Sequence, residues 1–81
     1  MYDEKKANEI LARNLVSLRL KHGLNQEALS DISGIHRPNL ALMETAHRNI
    51  SLETILRVCS ALGEPIHELT KGVEDAFLKA P

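Results

Sequence analysis

An all-α fold is predicted by three features of this 81-residue chain. Apolar residues make up 43% of it, yet Tyr2 and Phe77 are the only aromatics, so the core must be assembled from Leu, Ile, Val and Ala. Alternating β-branched and aromatic runs are scarce, and the leucines recur at helical spacing instead. Gly23, Gly34, Gly63 and Gly72 punctuate the chain into segments of helical length. Residues 1–81 are read as a single domain, short enough that every element must contribute to one core.

The first helix is expected from about Asp3 to His22, with Leu11, Leu15 and Leu18 as its stripe and Gly23 as a left-handed stop. Asn25 is a good N-cap for a second helix, in which Gln26 and Glu27 place polar groups in the first turn. Leu29 and Ile32 form its buried face, Gly34 ends it, and Ile35 anchors the turn. A third helix starts at about Arg37, because Pro38 is tolerated only in a first turn. Leu40 and Met43 point it at the core. After the loop Ala46–Asn49, Ser51 caps a fourth helix, with Ile50 and Ile55 as a hydrophobic staple. Leu52, Ile55, Val58, Cys59 and Leu62 line its inner face, and Gly63 terminates it. Pro65 opens a fifth helix with Ile66 and Leu69 inward. Gly72 either caps that helix or interrupts a longer one, since Val73 and Phe77 continue the stripe.

The net charge of −1 does not announce a polyanion binder, but its distribution is uneven. From Arg13 to Arg48 five basic residues face three acidic ones, whereas from Asn49 onward three basic residues face five acidic ones. Cys59 is the only cysteine, which excludes a disulfide framework, and it reads as a small buried hydrophobe. The charged N-terminus has no signal-peptide core, and no apolar run is long enough to span a bilayer, so a cytoplasmic protein is expected. His22, His36, His47 and His67 are scattered without a metal-ligand pattern. No Ser/Cys–His pair at recognisable spacing and no glycine-rich phosphate loop is present. An enzyme, a metal, a cofactor and a small-molecule ligand are therefore not expected.

Residues 25–45 are two short helices meeting at a tight turn, the helix-turn-helix arrangement, whose second helix can lie in a major groove. From about Leu15 to Leu69 the chain resembles the phage-repressor-like (XRE-type) helix-turn-helix regulators. The resemblance rests on Arg19, Gly23, Asn25-Gln26-Glu27, Leu29, Gly34, Leu40, Glu44 and Arg48-Asn49-Ile50-Ser51. Within that family, the Ile35-His36-Arg37 turn and the stretch RNISLETILRVCSALG are most similar to the controller proteins of restriction–modification systems. The resemblance implies a compact five-helix bundle of the lambda-repressor-like DNA-binding type. It also implies a homodimer on a near-palindromic double-stranded operator, excluding or recruiting RNA polymerase according to operator position. An antitoxin of a toxin–antitoxin pair and a phage or plasmid repressor are the alternatives. The short tail after Gly72 favours a stand-alone regulator over the antitoxin.

Arg37, at the outward start of the third helix, can bond both acceptors of a guanine. Pro38, Asn39, Ala41 and Leu42 follow toward the groove: Leu42 can meet thymine methyls, and Asn39 can bond adenine or a phosphate. Pro38 and Ala41 stand where the family often carries polar residues, so DNA shape is expected to carry part of the specificity. Asn25 and Gln26 sit at a helix start whose free amides suit a phosphate, the use the family makes of this glutamine. Arg48 and Asn49 precede the Ser51-capped helix and form a second phosphate clamp. Ala46 departs from the family's usual glycine. The resemblance further implies a structural ion pair between Arg19 and Glu44. It also places a dimerisation region at about residues 63–81, with Ile66, Leu69, Val73 and Phe77 as interface; the same four residues suit the chain's own core.

Overall fold

The computed structural model describes residues 2–78. Among them are six helices and no strand: α1 (Glu4–Lys21), α2 (Gln26–Ser33), α3 (Arg37–Glu44), α4 (Leu52–Leu62), α5 (His67–Thr70) and α6 (Val73–Leu78). The all-α class is as expected. The fifth helical segment is divided: Gly72, at φ 79°, breaks the chain between α5 and α6. The last three residues of the expected dimerisation region, 79–81, lie outside the described residues.

Side chains close the helix starts. Asp3 accepts from the Lys6 amide at 2.9 Å, Asn25 from Ala28 at 2.8 Å and Ser51 from Thr54 at 3.1 Å. The ends of α1 and α3 close alike. After α1, the Leu24 amide bonds the Arg19 carbonyl at 3.2 Å and the Gly23 amide bonds Leu20 at 2.9 Å. After α3, His47 bonds Leu42 at 2.9 Å and Ala46 bonds Met43 at 3.1 Å. Both are paired closures around one left-handed residue. At α1 that residue is Gly23, whereas at α3 it is Ala46, at φ 61°.

The core gathers Leu15 and Leu18 of α1, Leu29 of α2, Leu40 and Met43 of α3, Val58 and Cys59 of α4, and Leu69 of α5. Cys59 is buried as expected, and burial raises its thiol pKa, with the carboxylates of Glu64 and Glu68 adding to the effect. Four positions differ from the periodicity reading. Ile32 is 53% exposed because the inward stripe of two-turn α2 runs through Leu29 and Ser33 instead. Ser33 is tolerated there because its hydroxyl donates to the Leu29 carbonyl at 2.6 Å. Leu52 is exposed and Leu62 half-buried, since Ile55, Val58 and Cys59 occupy the centre of the inward arc of α4. Ile66, at the entry to α5, also faces solvent rather than inward.

Past Gly72 the chain returns along α1. The Asp3 amide donates to the Phe77 carbonyl at 2.9 Å, and the Tyr2 and Phe77 rings stack at 4.8 Å with planes 7° apart. Asn14, near the middle of α1, donates to the carbonyls of Leu69 (2.8 Å) and Lys71 (2.9 Å). These bonds satisfy the end of a one-turn helix that has too few internal bonds to stand alone.

Candidate nucleic-acid interface

The turn between α2 and α3 is built from serines. Ser30 Oγ donates to the Ile35 carbonyl at 2.5 Å, and the Ile35 amide donates to Ser33 Oγ at 3.3 Å. Ile35 is thereby pinned inward and Arg37 starts α3 at the surface. Leu40 and Met43 anchor α3 in the core, which turns Arg37, Pro38 and Leu42 outward, with Asn39 and Ala41 half-buried beside them. Thr45 is exposed as well. Its hydroxyl lies 3.2 Å from the Ala41 and Leu42 carbonyls and 2.8 Å from His47 Nδ1.

Behind this surface, Glu44 gathers three donors. Arg19 Nε reaches Oε2 at 2.7 Å, Arg19 Nη2 reaches Oε1 at 2.9 Å, and Gln26 Nε2 reaches Oε1 at 3.0 Å. Arg19 Nη1 also donates to the Leu24 carbonyl at 2.8 Å. The Glu44 side chain is 3% exposed and that of Arg19 13%. The geometry brings the expected Arg19–Glu44 pair together as a two-point bond joining α1 to α3. Gln26 enters the same cluster, so one N–H of its amide is tied to the scaffold. Asn25 likewise commits its side-chain oxygen to the cap of α2. Its contribution to an anion would come through the helix start rather than through that oxygen.

Arg48 and Asn49 are exposed in the loop between α3 and α4. Arg48 Nη1 donates to Asn39 Oδ1, joining the loop to α3. From α1, Asn8 donates to the Arg48 carbonyl and accepts from the Ile50 amide, both at 3.4 Å. Sequence reading missed Asn8, as it missed Gln26 in the Glu44 cluster. A polar residue on a helix start carries no local mark of a partner forty positions away.

The four residues expected at a dimer interface separate. Leu69 is 1% exposed and belongs to the chain's own core, so it is not available to a second copy. Val73 and Phe77 are half-buried against α1, Phe77 under the Tyr2 ring. Ile66 alone among them is an exposed large hydrophobic, at 43%. Leu52 and Leu56, one turn apart on the outer flank of α4, are exposed too. Among the described residues no His/Cys/Asp/Glu cluster could hold a metal, and no helix is long and apolar enough to cross a membrane.

Comparison with known proteins agrees with this geometry. The chain matches the helix-turn-helix family over residues 15–69. Control protein C.SmaI of Serratia marcescens is 39% identical over 61 residues, covering 75% of this chain and 73% of that protein. The crystal structure of the restriction-modification controller protein C.AhdI from Aeromonas hydrophila superposes with a TM-score of 0.72 at 35% identity, over 76% of this chain and 94% of that one. The hypothetical transcription factor NHTF from Neisseria gives 0.75 at 31% identity, over 84% and 78%. By sequence and by fold, the chain belongs to the XRE-type helix-turn-helix family of transcriptional regulators.

Proposed function

We propose that this chain is a sequence-specific double-stranded DNA-binding regulator that acts as a homodimer and controls a restriction–modification operon. One observation carries the DNA-binding part. The outward face of α3, headed by Arg37, and the Arg48 loop form one continuous surface, joined through Arg48 and Asn39. On DNA, Arg37, Pro38, Asn39, Ala41 and Leu42 face the major groove, with Arg37 bonding a guanine edge. Asn25, Gln26, Arg48 and Asn49 face phosphates on either side. The likeness to C.SmaI and C.AhdI supports the controller assignment.

One short helix reads few bases, and a second copy doubles the read length over two half-sites one helical turn apart. The exposed Ile66, Leu52 and Leu56 are the apolar side chains offered to that pairing, in place of the internal Leu69. RNA polymerase is the further partner, excluded or recruited by operator position, and the site of action is the cytoplasm. No cofactor and no catalytic step enter this reading.

Gel-shift titration of the full chain on fragments selected from random duplexes tests it. Arg37→Ala is expected to weaken cognate binding by about 1–3 kcal/mol while leaving non-cognate binding close to unchanged. Arg48→Ala is expected to weaken binding to all sequences and to reduce the salt slope by about one. Cognate affinity that Arg37→Ala does not alter would sink the base contact. Sedimentation of the free protein as a monomer at concentrations where it occupies both half-sites would sink the preformed homodimer.

A further inference from the structure

Asn8, half-buried on α1, grips the loop between α3 and α4 by its backbone. Its Nδ2 donates to the Arg48 carbonyl and its Oδ1 accepts from the Ile50 amide, each at 3.4 Å. A carbonyl must meet a donor and an N–H an acceptor, so only one orientation of the side-chain amide satisfies both. Each bond is long and weak by itself, but the two together fix the peptide planes on either side of Asn49.

Planarity then decides where the backbone of Asn49 points. The chain has no cis peptide bond, and in a trans peptide the carbonyl and the following N–H lie on opposite sides. With the Arg48 carbonyl turned toward α1, the Asn49 N–H is turned away from it. Asn49 is exposed, and among the described residues no acceptor meets that N–H. The next plane turns the Asn49 carbonyl away from α1 too, so the N–H is the single donor of this backbone pair. An unpaired donor thus stands beside Arg48 on the side of the loop that α1 does not cover.

We propose that Asn8 is a positioning residue for DNA binding: without touching DNA, it aims the Asn49 backbone N–H at a phosphate. The proposal rests on the DNA-binding reading above and deepens it, by naming an uncharged phosphate donor and the α1 residue that sets its direction. A backbone N–H displaces no counterion, so misaligning it leaves the salt slope as it was, whereas losing a cation lowers the slope. Nor does a phosphate contact carry sequence information.

The test titrates the full chain and its Asn8→Ala variant with a selected duplex over a range of salt concentrations, and follows the backbone amides of both by NMR, free and bound. Alanine suits a helix, so the variant is expected to fold with a melting temperature close to that of the unaltered chain. In the unaltered chain the Asn49 amide is expected to exchange fast when free. On DNA its resonance should move downfield and its exchange slow by about tenfold or more as it bonds a phosphate. In Asn8→Ala that protection is expected to be lost. Affinity should fall by about threefold to tenfold on cognate and non-cognate duplexes alike, with the salt slope unchanged. An Asn49 amide that DNA leaves unprotected in the unaltered chain overturns the proposal, whatever the variant does. Full affinity and full Asn49 protection in Asn8→Ala overturn it too, as does a salt slope lowered by about one, which traces the loss to the Arg48 cation instead. Should Asn8→Ala fail to fold, the Asn49 amide of the unaltered chain decides alone. Failure of the DNA-binding reading is distinct: the unaltered chain then binds no duplex, before any variant is compared.

Discussion

Two carboxylates illustrate how burial decides what an ion pair is worth. Glu44 is almost fully enclosed and accepts from Arg19 twice and from Gln26 once. Glu53 sits on the solvent side of α4 and meets only Arg57 at 2.9 Å, one turn away. Removing Glu44 strands the Arg19 guanidinium in a low-dielectric site, so Glu44→Ala is expected to cost about 3 kcal/mol in urea unfolding. Glu53→Ala should cost about 0.5 kcal/mol or less. Similar losses for the two variants would contradict this ranking. Ala46 offers the opposite sign. Its left-handed backbone carries a penalty of about 1–2 kcal/mol, part of which is offset because alanine restricts the unfolded chain more than glycine does. Ala46→Gly is therefore expected to raise stability by about 0.5–1 kcal/mol, read from the denaturation midpoint. The missing family glycine at this position is visible in the sequence. That the turn nevertheless remains left-handed is not, because only the paired closure onto Leu42 and Met43 shows it.

Local chemistry places the helices well. Asn25, Ser51, Gly34 and Gly63 mark starts and stops through groups that act on their own backbone, so neighbours in sequence are enough to find them. The stretch after Pro65 is harder, since a glycine within an apolar stripe is compatible with a cap or a break. Here it is a break. At φ 79° an added Cβ at Gly72 would lie 3.7 Å from Ile10 Cγ2, an ordinary contact, so any penalty is conformational rather than steric. Gly72→Ala is expected to destabilise by about 1 kcal/mol. Faster amide exchange in α6 than in α2 should accompany it; unchanged exchange across α6 would show that the left-handed turn is not what docks this helix. The exposed Ile32, Leu52 and Ile66 mark where periodicity overreaches. A helix of two or three turns has more apolar positions than its neighbours can cover, and coverage is not written in the helix itself.

At the level of the assembled domain, the ends of α1 and α4 are held together across the sequence. Glu64 Oε2 lies 2.6 Å from His22 Nε2 and 3.4 Å from Lys21 Nζ. The hydrogen bond with His22, with a further contribution from Lys21, lowers the Glu64 pKa below its ordinary value of 4.5, against an opposing effect of burial. A carboxyl lowered in the folded state binds its proton more readily when unfolded. Its contribution is thus complete above about pH 4.5 and is lost as pH falls through the lowered folded value. Thermal melts below pH 5 should show a steeper loss of stability for the unaltered chain than for Glu64→Gln. Parallel curves would show that this tie contributes nothing to stability.

From Leu15 to Leu69 the residue pattern is enough to identify an all-α helix-turn-helix regulator, because caps, stops and apolar spacing act within a few residues. Partnerships between distant side chains are decided by the packing of α1 against the later helices. That packing brings Gln26 to Glu44, Asn8 to the Arg48 loop and Arg48 to Asn39, and it draws Leu69 into the core instead of leaving it for a second copy. The physical reason is range. A cap is satisfied by its own turn, whereas a long polar side chain takes the nearest donor or acceptor that the fold brings within about 3 Å.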